Sequence, residues 1–140
     1  MLKDTRKITT GINENNESEI FGDEQVKSIT PYSIFPSFEL QNLFYTEDNP
    51  QSLATRHINK PYDIQLPEGA MRFLKIRMPT KAEMTADLKK AGEPIPEDWT
   101  KFNLHRTDSV DYIYILSGAI TCVVGEKQID LREGDFLAQI

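Results

Sequence analysis

The chain has 140 residues, with 22 acidic against 16 basic side chains and a net charge of −6, and neither sign gathers into a long block. That balance argues against nucleic acid, because phosphate binding needs a clustered basic face. A single domain of this length buries roughly 68% of its unfolded surface when compact. No apolar run reaches bilayer length, and the start, MLKDTRKITTGINENN, lacks a signal-peptide core. The lone cysteine, Cys122, has no partner for an internal disulfide. A soluble cytoplasmic protein with neither membrane nor nucleic acid as partner is expected.

In chain order, residues 3–12 carry the β-formers Ile8, Thr9, Thr10 and Ile12, and the polar cluster from Asn13 to Glu17 reads as a turn. Ile20-Phe21 suggests a second short strand. Pro31 and Pro36 keep the next region extended and out of any helix. Ser37 to Thr46 is a strand whose alternation slips near Asn42, as at a bulge. Residues 47–62 read as a surface loop holding His57, and the pattern gives that histidine no role. Pro67-Glu68-Gly69 is a turn, followed by a strand from Met71 to Met78.

One helix is expected, over 80–91. Thr80 and Glu83 fit a capping box, Met84, Leu88 and Ala91 recur at helical spacing, and Gly92 suits a left-handed end. Pro94 and Pro96 stop continuation, and Trp99 and Phe102 lie in a connector to His105.

From His105 to Ile140 the pattern is that of a β-meander, with turn signals at Ser117-Gly118, Gly125-Glu126 and Glu133-Gly134-Asp135. Val110, Tyr112, Tyr114 and Leu116 share one face. Ile120, Cys122 and Val124 repeat the alternation, which makes Cys122 a buried, inert thiol. Many short strands and one helix give an all-β barrel or sandwich with an inserted helix.

The segment from His105 to Tyr112 (HRTDSVDY), then Ile115-Leu116-Ser117-Gly118 and Leu131-Arg132-Glu133-Gly134-Asp135, resembles the small single-domain cupins of the RmlC-like type. The resemblance is closest to a subgroup with an HRTD-[ST]-[VI]-DY segment. It extends to Arg6–Gly11, Phe44-Tyr45-Thr46 and Leu66–Phe73, and so covers most of the chain. It implies a cupin-like antiparallel β-barrel, or jelly roll, incomplete at the C-terminus. The chain is then one domain over 1–140: N-terminal strands and loop (1–79), helix and connector (80–104), and the first half of the cupin core (105–140).

The general cupin pattern has two metal-binding segments. The first, G-x5-H-x-H-x3–4-E-x6-G, falls on His105, Thr107, Asp111 and Gly118 with its spacing kept. Thr107 stands for the second histidine, Asp111 for the glutamate and Trp99 for the leading glycine. The second, G-x5-P-x-G-x2-H-x3-N, begins at Gly134, puts Ile140 at its proline and places its histidine beyond Ile140. The cofactor implied is a divalent metal (Fe, Mn, Zn or Ni) held by His105 and Asp111, if a late histidine completes the site.

His105 is the candidate catalytic residue, as a ligand or general base near neutral pH. The alternative is a polar residue bonded by a neighbouring loop. Asp111 either supplies a metal oxygen or bonds Arg106 or Thr107 and orders the strand. Arg106 could clamp a substrate carboxylate in a bidentate manner, or pair with a neighbouring acid. Tyr112 and Tyr114 either line a substrate pocket or fill the core.

Ending within Phe136–Ile140 would leave open strand edges and an uncovered apolar face. A fragment or interrupted reading frame, a second chain, or a homodimer would each account for it. The fragment is preferred, and alone it is expected to be insoluble or molten. The function expected is binding or conversion of a small molecule inside the barrel; a non-catalytic or structural cupin, or an inactive fragment, is the alternative. The sequence leaves open whether it is an enzyme.

Overall fold

The computed structural model of the chain describes residues 1–46, 65–102 and 104–140. The expected loop over 47–62, His57 included, lies outside the described residues. The chain forms two compact units, Met1–Ile95 and Pro96–Ile140.

The first unit begins with an antiparallel hairpin of β1 (Thr5–Ile12) and β2 (Ser18–Val26). Asn13 closes its loop: the side-chain Oδ1 accepts from the N–H groups of Asn15 and Glu17, each at 3.0 Å. Asn16 takes the left-handed φ of 63° that asparagine tolerates. β2 is far longer than Ile20-Phe21. Its C-terminal half has ions rather than alternating apolar residues, and these pair across the hairpin. Arg6 forks onto Asp23 at 2.8 and 2.6 Å, and Lys7 meets Glu24 at 2.5 Å. Phe21 is the extra residue of a bulge, since Thr9 faces Gly22 and Thr10 faces Ile20. Its ring lies so close to Gly11 that a Cβ there would sit 2.5 Å from Phe21 Cε2.

The stretch before β3 is not simply extended. Phe35 N–H bonds Tyr32 O and Phe38 N–H bonds Phe35 O, both at 3.0 Å, so two turns follow each other. Pro36 has the second position of the latter turn, which its fixed φ suits. β3 (Glu39–Thr46) then pairs antiparallel with β4 (Met71–Arg77), with Leu43 bulged between Asn42 and Phe44 as the slipped alternation suggests. The turn entering β4 has Ala70 N–H on Pro67 O at 3.1 Å and Gly69 at φ 77°, as a type II turn requires.

Two polar hubs assemble this unit. Gln41 is fully buried: its Oε1 accepts from Thr5 Oγ1 at 2.6 Å, and its Nε2 donates to Lys3 O at 2.9 Å and Ser28 Oγ at 3.2 Å. One β3 side chain thereby anchors the start of β1 and the segment after β2. Arg77 is the second hub, donating to Ser37 O at 2.6 Å and to Glu83 Oε1 at 2.5 Å. Around them the buried apolar residues are Leu40, Tyr45 and Leu88.

α1 (Lys81–Ala91) starts and stops as its sequence suggests. Glu83 N–H donates to Thr80 Oγ1 at 3.2 Å, and Thr80 N–H donates to Glu83 Oε2 at 2.8 Å. Gly92 ends the helix at φ 75°. Leu88 is the helix's buried residue, while Ala91 is exposed. Asp87 accepts from both the N–H and the hydroxyl of Ser37, fixing the helix to the turns before β3.

The second unit holds β5 (Asp111–Tyr114), β6 (Ala119–Val124), β7 (Lys127–Arg132) and β8 (Phe136–Gln139). It is not a meander. β5 pairs with β8 and β6 with β7, so the strands nest into one antiparallel ribbon. Only Gly125-Glu126 reverses the chain, with Gly125 at φ 60° in the glycine-first pattern of two-residue hairpin loops. Ser117-Gly118 and Glu133-Gly134-Asp135 instead face each other and carry the pairing past an irregularity. Glu133 N–H bonds Gly118 O, Ile115 N–H bonds Asp135 O and Gly134 N–H bonds Ile115 O, each at 3.0 Å.

The described residues are thus mostly β with one helix, and the described strand pairs are all antiparallel. None of the described pairs closes into a barrel. No described helix is long and apolar enough to cross a membrane.

Two outcomes are expected. Gln41→Leu should cost about 1–3 kcal/mol in denaturant unfolding, because it leaves the buried partners of the amide unpaired, and early loss of amide protection should localise to residues 2–5. Glu83 is held down from 4.5 to about 2, first by the Thr80 N–H, then by the Arg77 guanidinium and the Thr80 hydroxyl. A carboxylate depressed on folding stabilises above its ordinary value, and that support drains as pH falls from 4.5 to about 2. Helicity followed by circular dichroism should drop over that window, and the step should shrink in Glu83→Gln.

Candidate functional site

The last rung of the β5–β8 ladder pairs Asp111 with Gln139. The chain just before β5 therefore runs beside the end of β8. Between them is a cleft of about 530 Å³, lined by residues 105–110 together with Gln139 and Ile140. Its residues all belong to the second unit.

His105 is not at the start of a strand. It lies in irregular backbone six positions before β5 begins, is exposed, and lines the cleft. Arg106 lines it too and forms no ion pair with any described residue, so the expected salt bridge to a neighbouring acid is not made among them. Asp108 adds the opposite charge to the same lining.

Asp111 is held by neither Arg106 nor Thr107. Its Oδ1 accepts from Ser109 Oγ at 3.0 Å, and Ser109 Oγ in turn lies 2.8 Å from Thr107 Oγ1. The alternate residues 107, 109 and 111 thus form a hydroxyl–hydroxyl–carboxylate chain along one side of a bend at Asp108-Ser109. Thr107, Ser109 and Asp111 are all half-buried, whereas His105, Arg106 and Asp108 are open to solvent. In the sequence pattern Thr107 stands only where a second histidine is expected, and nothing singles out Ser109. The signal lay in the spacing by twos of three small oxygen-bearing side chains.

Tyr112 and Tyr114 are neither core nor cleft residues. They project from the other side of β5, 73% and 58% exposed. Tyr112 stacks on Phe136 with ring centroids 6.0 Å apart and planes at 15°. Phe136, opposite Tyr114, shares this open apolar face at 60% exposure, and Val110 and Leu116 are also exposed, at 53% and 65%. The inner pair is better covered: Leu131 is buried, and Ile120 and Cys122 are half-buried. Cys122 is a free thiol opposite Ile129.

His105 and Asp111 are the donors that the metal pattern leaves. Among the described residues no group of three or more His, Cys, Asp and Glu side chains comes together. A catalytic zinc takes three protein ligands, and non-haem iron takes two histidines and a carboxylate. With one oxygen of Asp111 already engaged by Ser109, the described donors do not fit such an ion. Compared with protein-family models, curated proteins and solved structures, the chain matches none.

If Tyr112 serves the ribbon through its stacking partner, Tyr112→Ala and Phe136→Ala should be coupled. A double-mutant cycle on unfolding should give about 0.5–1.5 kcal/mol. A coupling near zero would return Tyr112 to the list of ligand contacts.

Proposed function

We propose that the chain is a cupin-type protein that binds a small organic molecule in the cleft formed by residues 105–110, Gln139 and Ile140. The observation that carries this reading is Arg106, a cation lining that cleft without an ion-pair partner among the described residues. A guanidinium so placed suits a carboxylate, which it can grip through two parallel bonds. The family reading rests on the spacing from His105 to Gly118 and on a ribbon kinked at facing glycines. In that reading the ribbon is half of a jelly-roll barrel, and the chain is cytoplasmic.

His105 supplies an imidazole that can exchange a proton with the bound ligand near neutral pH. Binding without turnover is the second reading. It is favoured by Thr107 at the position of a metal-ligating histidine and by a donor set of two. In either reading a second copy of the chain is the cover for the apolar face of β5 and β8.

The test is a titration of the full chain with small carboxylic acids, followed by ligand-observed NMR. Arg106→Ala should weaken binding about tenfold or more, the scale of one charge-assisted contact. His105→Ala should abolish turnover, if there is any, while leaving affinity within a few-fold. Equal binding by the wild type and Arg106→Ala would remove Arg106 as the anchor and, with it, the argument for this cleft.

A further inference from the structure

The hydroxyl chain at the cleft has a direction. A carboxylate oxygen only accepts, so Ser109 spends its single proton on Asp111, at 3.0 Å. The contact of 2.8 Å between Ser109 and Thr107 must then take its proton from Thr107. With that proton committed, Thr107 Oγ1 has only lone pairs left to present. Thr107 lines the cleft, and so does the carboxylate-bearing Asp108, a second acceptor. Arg106, between His105 and Thr107, offers only donors.

A plain acid would satisfy Arg106 and gain nothing from the acceptors beside it. A ligand carrying a hydroxyl next to its carboxylate satisfies both. We propose that Thr107 is a specificity-determining residue that accepts a hydrogen bond from a ligand hydroxyl, so that the cleft selects 2-hydroxy acids over the corresponding unsubstituted acids. Asp111 and the cleft-lining Ser109 act as positioning residues, setting the direction of the Thr107 proton. The inference rests on the cleft reading above and adds the substrate class to it.

Lactate and propionate differ by one hydroxyl and make the probe pair. Their dissociation constants are measured on the full chain by ligand-observed NMR or calorimetry. Lactate should bind about fivefold more tightly than propionate, the scale of one neutral hydrogen bond at a partly solvated site. Thr107→Val keeps the shape and removes the oxygen; it should bring the ratio to near one, and Thr107→Ser should restore the preference. Thr107→Ala is the second variant, usable should Thr107→Val fail to fold. It removes the same oxygen and should also lower the ratio. Equal affinities for the two acids in the wild type overturn the assignment and leave the acid-binding cleft standing. A ratio unmoved by Thr107→Val, or by Thr107→Ala where that variant stands in, overturns it as well. Binding of neither acid overturns both.

Discussion

The pairing of β5 with β8 is the constraint on which the candidate site depends. Asp111 and Gln139 form its terminal rung, and only that rung brings the segment from His105 to Val110 beside the end of β8. The rung lies far along the chain from the reversing turn at Gly125-Glu126, so register must survive the irregularity between the two strand pairs. The bonds among Ile115, Gly118, Glu133, Gly134 and Asp135 hold it there. Gly118 and Gly134 take φ of 79° and 90° at this point, and a residue with a Cβ would pay roughly 1–3 kcal/mol for such backbone. A slip by one residue would move Tyr112, Tyr114 and Phe136 to the opposite face and take Asp111 away from the cleft side.

The first unit is held by a different kind of contact. Its buried apolar residues are few, and buried polar groups connect its elements. Gln41 reaches residues at both ends of the β1–β2 hairpin region, while Arg77 and Asp87 bind the turns around Ser37 to the helix. A buried amide with all its partners met specifies one arrangement, because each alternative leaves a polar group dry and unpaired. The hydrophobic contacts tolerate small shifts; Gln41 does not.

Local signals read well from the sequence because they are local in physics. Thr80, Glu83 and Gly92 mark the helix through bonds within one turn of chain, and the Asn42 slip marks a bulge through strand period alone. The pattern of β2 was hidden because its C-terminal half is stabilised by Arg6–Asp23 and Lys7–Glu24 rather than by an apolar stripe. The meander pattern misleads for a related reason. A glycine-containing signal reports that a left-handed residue is wanted, not whether the chain reverses there, and Gly118 and Gly134 use that freedom facing each other across a ribbon. The candidate site was legible as a segment but not as an arrangement. His105 and Arg106 do line a cleft, yet Ser109 went unnoticed, because a serine has no meaning until its proton's destination is known.

The residue at position 107 matters for the same reason. Side chains two apart on extended chain project to one side, which is what lets a histidine, a second histidine and a carboxylate converge on an ion. Put a hydroxyl at the second place, with Ser109 between it and Asp111, and the spacing serves another purpose. Ser109 donates to the carboxylate, and the demand for a proton passes outward to Thr107. In the proposed reading this hydroxyl chain leaves Thr107 a lone pair for a donor in the cleft. The chemistry available there is accordingly that of recognising a donor, and Arg106 beside it supplies the complementary half for an anion.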